Sequence, residues 1–183
     1  IMEKQGGSNQ AVLDALKQAH DQIVFLAGMV NDLSTLSRAE RGKLTLELAS
    51  INVHQLVSGL VDGYQKDVAA KGMQIRADLN PHLETLSSSE LYVREILQNF
   101  ITNAIKYTEN GSVTVGAKPH GDGVLFTVSD TGIGISKADQ ERVFDKFLRS
   151  EDFRTRATSG TGLGLYVTMK LARLIHAEIS LES

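Results

Sequence analysis

The sequence predicts an α/β protein: a two-layer α/β sandwich with a mixed sheet, preceded by the remnant of a helical hairpin. Three observations carry this expectation. Helix-period and strand-period apolar patterns alternate along most of the chain, which calls for helices layered on a sheet. Two strand patterns are joined directly through Gly121-Asp122-Gly123, a hairpin, so the sheet is not purely parallel. The first forty or so residues carry a heptad pattern instead of a globular one.

Val12, Leu16, Ala19, Ile23, Leu26, Val30 and Leu33 are spaced alternately four and three apart, an a/d seam. Phe25, Met29 and Leu36 widen the stripe, as inside a four-helix bundle. The seam does not give the oligomeric state, and an amphipathic helix packed on its own domain is the alternative. Gly6-Gly7-Ser8-Asn9 predicts a tight interhelical loop, with Ile1 to Gln5 ending an earlier helix. The pattern changes after Arg41-Gly42, so residues 1–42 are read as the hairpin part and 43–183 as the α/β domain. Leu44, Leu46 and Leu48 alternate like a half-buried strand. Val53 to Val68 recurs at helical spacing, with Gly72 as its stop. Met73 to Leu79 reads as a strand ended by Pro81, and a helix follows from about Ser89 to Tyr107. Ser112 to Lys118 and Gly123 to Ser129 are the two hairpin strands. Ser136 with Asp139 marks a helix start. Residues 148–160 are polar and aperiodic, a mobile loop; Thr161 to Ile175 is a helix and Glu178 to Leu181 a last strand.

Composition excludes several classes. The 183 residues are 42% hydrophobic, enough for a core, and carry a net charge of −3 with no cationic cluster, so nucleic acid is not the expected partner. There is no Trp, and aromatics make up 5%, too few for a base-stacking platform. Cys is absent, which removes disulfides and thiolate metal sites and fits a reducing, cytoplasmic setting. No apolar run is long enough to span a bilayer. The histidines at 20, 54, 82, 120 and 176 have no metal-ligand spacing.

The chemistry concentrates on the helix from Ser89 to Tyr107. At about 100° per residue, Asn99, Asn103 and Lys106 fall roughly 40°, 80° and 20° from Glu95, one polar stripe. Ile96, Leu97, Phe100, Ile101, Ala104 and Ile105 fill the opposite face. Two Asn four apart have poor helix propensity and give nothing to a solvated face. Oxygen ligands from Asn and Glu suit Mg²⁺, and a nearby Lys suits phosphate. The strand Phe126-Thr127-Val128 leads to Asp130, followed by Thr131-Gly132-Ile133-Gly134. A buried carboxylate there would accept from an amino group such as adenine N6, and the glycines would let backbone approach the base. Gly160-Thr161-Gly162-Leu163-Gly164-Leu165 opens a helix whose free N–H groups favour phosphate. It is neither a Walker A loop nor a good Rossmann fingerprint.

Together these segments resemble the catalytic ATP-binding domain of sensor histidine kinases, within the group that includes gyrase B, Hsp90 and MutL. Glu95 to Thr108 is similar to the family's N box, Asp130 to Ile135 to its G1 box, Phe144 to Phe147 to its F box, and Gly160 to Leu165 to its G2 box. All four occur in the family's order. Val30 to Leu44 is similar to the second dimerisation helix and its exit. The resemblance implies a Bergerat-type fold, bound ATP and Mg²⁺, a homodimer through the helical hairpin, and a response regulator receiver domain as partner. By position it implies that Asp130 binds the adenine amino group and that Asn99 coordinates Mg²⁺, assisted by Asn103 and Glu95. Lys106 and Tyr107 would contact phosphate and sugar. Gly132, Ile133, Gly134, Thr161, Gly162, Leu163 and Gly164 would shape the nucleotide pocket, with Phe144 and Phe147 packed at the base of the lid. Arg149, Arg154 and Arg156 read as solvated lid charge.

The family's phosphoacceptor motif, a His and an acidic residue followed by Arg-Thr-Pro, has no match. His20 precedes Asp21-Gln22-Ile23 and reads as a bundle histidine. The acceptor helix is expected before residue 1, and the family usually continues beyond the position of Ser183. Two other readings stay open: a gyrase/Hsp90/MutL-type ATPase, with Glu95 as general base on water, and a non-enzymatic module that only dimerises or docks a partner.

Overall fold

The computed structural model describes residues 3–83, 85–148 and 161–183. The expected lid arginines at 149, 154 and 156 therefore lie outside the described residues. The chain opens with one helix, α1 (Glu3–Glu40). The glycine segment expected to turn between two helices lies within it: glycine can take helical φ/ψ, though at a cost of about 0.5–1 kcal/mol relative to alanine. The seam residues Val12, Leu16, Ile23, Leu26, Val30 and Leu33 are all more than half exposed, so they do not pack on this chain's own domain.

Residues 43–48 are not a strand. Leu44 is half-buried against the α1 side of the molecule, but Leu46 and Leu48 are exposed, so the alternation buries no face. The Tyr92 hydroxyl holds this segment by donating to the Thr45 carbonyl (2.9 Å). The chain then enters β1 (Ala49–Asn52) and α2 (Val53–Ala70). Asn52 caps α2 by accepting from the Gln55 amide (2.9 Å). The helix stops at Gly72, whose N–H bonds the Ala69 carbonyl while the Met73 N–H bonds that of Val68, a Schellman pattern.

β2 (Gln74–Leu79) follows, then β3 (Thr85–Ser88), which the sequence pattern did not signal. β3 pairs antiparallel with β1, Ala49 opposite Ser88. α3 (Glu90–Tyr107) begins after Ser89. β4 (Ser112–His120) lies parallel to β2 and antiparallel to β5 (Gly123–Asp130), giving a mixed sheet in the order β2-β4-β5. Val113, Val115 and Ala117 alternate along β4 and are buried, so one sheet face is apolar. They join Val57, Leu60 and Val61 of α2 and Leu97, Ile101 and Ile105 of α3 in the main core.

The short α4 (Lys137–Gln140) starts at Ser136, whose hydroxyl accepts from the Asp139 amide (3.1 Å). α5 (Gly164–Leu174) is the last helix. A smaller core joins it to α1 and α3 through Leu36, Tyr92, Leu163, Val167 and Leu171. Residues 178–181 are not a strand: they have no ladder partner among the described residues. The end of the chain is held instead by Ser183, whose hydroxyl accepts from the Ile135 amide (2.7 Å) and whose carbonyl accepts from Gln140 (3.3 Å). Among the described residues no helix is long and apolar enough to cross a membrane.

Candidate functional site

α3 is the spine of the site, and a different segment meets it at each level. Its polar stripe is nowhere fully exposed: Glu95, Asn99, Asn103, Lys106 and Tyr107 are all half-buried. The opposite stripe, with Leu97, Ile101 and Ile105, sits in the core and fixes the rotation of the helix.

Glu95 faces α1. Burial, followed by the nearby Asp32 carboxylate, pushes its pKa up, and Arg38 partly offsets this. One turn on, Asn99 meets α5. Its Nδ2 donates to the Thr168 hydroxyl (2.5 Å), and its Oδ1 accepts from Asn103 Nδ2 (3.2 Å). A side chain at Gly164 would come within 2.9 Å of the Asn99 amide, so α5 approaches α3 closely at this point. At the C-terminal end, the Lys106 ammonium lies over the Tyr107 ring, 4.8 Å from its centroid.

The turn after β5 docks on that same end of α3. The Ile133 amide donates to the Tyr107 carbonyl (3.2 Å), and Thr108, almost fully buried, donates to Asp130 Oδ1 (3.5 Å). The Gly132 amide donates to the same carboxylate oxygen (2.8 Å). A Cβ on Gly132 would strike the Tyr107 carbonyl oxygen, so only glycine lets the turn close this tightly. Asp130 was expected to be buried; it is exposed. Its position at the end of an edge strand leaves it open to solvent, with Oδ1 fixed by two donors and Oδ2 without a hydrogen-bond partner among the described residues. Ile133 is half-buried and Gly134 exposed, the latter at φ 70°.

The glycine loop before α5 covers the middle of the stripe. Thr161 accepts from the Leu163 amide (3.0 Å) and donates to Asp32 of α1 (3.1 Å). Gly162 has φ 68°, and a Cβ there would lie 2.8 Å from the Phe147 backbone. The Phe147 amide in turn donates to the Gly162 carbonyl (2.9 Å). Phe144 is half-buried as expected, but Phe147 is not packed: its side chain is exposed and its φ is 60°. That backbone state is costly for an aromatic residue, and the fixed hydrogen bond to Gly162 holds it. His20 lies exposed on α1, away from all of this.

Pattern reading missed Asp32, Thr108 and Thr168. A signal existed for two of them: Thr108 directly follows the stripe, and Thr168 lies one helical turn after Gly164. Asp32 lies far away in sequence, and only the docking of α1 reveals it.

A metal was expected here. The described residues hold no cluster of three His, Cys, Asp or Glu side chains. Glu95 makes no hydrogen bond to another described residue, and Asn99 Oδ1 keeps a second lone pair. One or two hard oxygens suit Mg²⁺, which takes its remaining ligands from water and phosphate.

Comparison with known proteins identifies the family. Residues 88–183, just over half of the chain, match the family described as histidine kinase-, DNA gyrase B- and HSP90-like ATPase. The circadian input-output histidine kinase CikA of Synechococcus elongatus is 33% identical over 92% of this chain, which spans 23% of that protein. The crystal structure of full-length ShkA with AMPPNP superposes with a TM-score of 0.75 at 29% identity, covering 90% of this chain and 33% of that one. A structure of the histidine kinase ThkA in complex with the response regulator TrrA shares the fold, with a TM-score of 0.60 at 18% identity over 81% of this chain and 43% of that one. The mixed sheet with its helices, the ordered boxes along α3, β5 and α5, and this match together establish that the chain belongs to the histidine kinase-, DNA gyrase B- and HSP90-like ATPase family.

Proposed function

We propose that the chain is the nucleotide-binding part of a sensor histidine kinase, which binds Mg-ATP and positions its γ-phosphoryl for transfer to a histidine outside these residues. The phosphoryl would then pass to an aspartate on a response regulator receiver domain. The observation that carries this reading is the convergence on one helix of the Asp130 turn, the Asn99–Asn103 pair and the glycine loop. The free oxygen of Asp130 would accept from the adenine amino group. Glu95 and Asn99 would hold Mg²⁺, with Asn103 bracing Asn99, and Lys106 and Tyr107 would meet phosphate and sugar. Gly132, Ile133 and Gly134 would line the base. Thr161, Gly162, Leu163 and Gly164 would present the start of α5 to the phosphates, and Phe147 would stand beside them. Phosphoryl transfer needs positioning and charge neutralisation more than covalent chemistry, and these residue types supply both. The metal would add neutralisation of the phosphate charge. Residues 1–42 would be the dimerisation part and residues 43–183 the catalytic part.

Thermal unfolding with and without Mg-ATP tests the reading. At 100 times the dissociation constant, the ligand should add about 2.7 kcal/mol to the stability of the wild type and nothing to Asp130→Asn. An equal shift in both would remove the adenine role of Asp130, and no shift in either would remove nucleotide binding. A gyrase-type ATPase is the second reading, favoured by the half-buried Glu95 with its raised proton affinity, which suits a general base. Rapid ATP hydrolysis by this chain, abolished in Glu95→Gln, would select it.

A further inference from the structure

Thr161 is the hinge between two parts of the molecule that the sequence keeps far apart. Its hydroxyl oxygen accepts from the Leu163 amide, which closes the turn before α5, and its proton goes to Asp32 Oδ2 on α1. Leu163 is itself pinned, 3% exposed, in the cluster with Leu36 of α1 and Tyr92 of α3. Two turns further along α1, Glu40 pairs with Lys146 at 2.6 Å, next to Phe147, whose amide holds the Gly162 carbonyl. α1 therefore touches the turn at Thr161 directly and is linked to Gly162 through Lys146 and its neighbour Phe147.

We propose that Asp32 is a positioning residue for the glycine loop: by accepting the Thr161 hydroxyl proton, it makes α1 set the shape of the turn that receives nucleotide phosphate. The carboxylate never meets the nucleotide. It orients the Thr161 hydroxyl so that the oxygen lone pair faces the Leu163 amide, and this keeps the start of α5 in one conformation. The phosphate role of the loop rests on the function proposed above; the control of its conformation does not.

Two measurements separate these. The first is hydrogen exchange at the Leu163 amide in the full chain without nucleotide, with the Val115 amide in the core of β4 as control. Asp32→Ala should speed exchange at Leu163 on the order of 5-fold, about the worth of one hydrogen bond, and leave Val115 unchanged. Asp32→Asn, whose side-chain oxygen can still accept from Thr161, should restore protection. Thr161→Val, which removes the acceptor itself, should speed exchange at least as much as Asp32→Ala, and the double variant should be no worse than Thr161→Val alone. Additive effects, or failure of Asp32→Asn to restore protection, would overturn the proposal. The second is Mg-ATP affinity by calorimetry, where Asp32→Ala should weaken binding by a similar factor and Asp32→Asn should not. If wild type binds no Mg-ATP, the functional reading falls while the exchange data still decide the role of Asp32. If wild type binds and Asp32→Ala binds equally well, the proposal falls while the function stands.

Discussion

A methyl group at residue 132 would run into the Tyr107 carbonyl oxygen, with Asp130 Oδ1 at 2.7 Å and Thr108 Oγ1 at 2.8 Å. Two of those three neighbours are rigid backbone or a fixed carboxylate, so the turn must move. Gly132→Ala should cost about 1–3 kcal/mol, read from denaturant midpoints, and should weaken nucleotide binding more than a surface substitution does. A second residue-level effect concerns pH. Burial pushes up the pKa of Asp32, against the lowering bond from Thr161, and burial with the Asp32 charge pushes up that of Glu95. The folded chain thus holds these protons more tightly than the unfolded chain. Their contribution to stability is fully present below the ordinary carboxylate range and is lost as pH rises through the raised values. Unfolding followed in metal-free buffer should show stability declining over that window, with a shallower slope in Glu95→Gln. Glu40 has the opposite sign, because its hydrogen bond from Lys146 lowers its pKa, so its support is lost as pH falls. That pair is solvent-exposed and salt-screened, so its slope should be small.

At the scale of elements, helix ends are where sequence and structure agree best, because they are local. Gly72 stops α2 and Ser136 caps α4, both as their residue types suggested, and Asn52, which the pattern reading did not single out, caps α2. Asn52→Ala should lower stability by about 1 kcal/mol, and Asn52→Asp, which keeps the accepting oxygen, should not; thermal unfolding of the two variants checks this. The β4–β5 hairpin and the polar stripe of α3 were legible for the same reason, since each is set by a short period and its flanking turn residues. Strands that depend on a distant partner were not. Leu44, Leu46 and Leu48 alternate but bury no common face, whereas Thr85 to Ser88 is a strand only because β1 lies beside it. Glu178 to Leu181 has strand composition but no ladder among the described residues. Within the site, the residue types of the boxes could be read from the chain, but the exposure of Asp130 and Phe147 and the part played by Asp32 depend on how segments dock, which no local pattern encodes.

For the whole molecule, α1 poses the main question. Its seam residues stand 53–68% exposed in the single chain, a long apolar stripe that water disfavours. A second copy packing its own stripe there would form the homodimer that we propose. Leu26→Glu combined with Val30→Glu should shift sedimentation from dimer to monomer and leave Mg-ATP affinity within about 2-fold, because both side chains are exposed on the seam. Asp32, Leu36 and Glu40, which tie α1 to the domain, lie toward its C-terminal end. The helix is therefore divided along its length into a part that faces outward and a part that is tied to the glycine loop and its neighbour Lys146.

The most direct test of the nucleotide site is a crystal structure of this chain with Mg²⁺ and a non-hydrolysable ATP analogue. The purine amino group should lie within hydrogen-bond distance of Asp130 Oδ2. The phosphates should sit between Asn99, Lys106 and the start of α5, with the metal on Glu95 or Asn99. An analogue bound elsewhere, or an Asp130 carboxylate and Asn99 amide making no contact with it, would contradict the account.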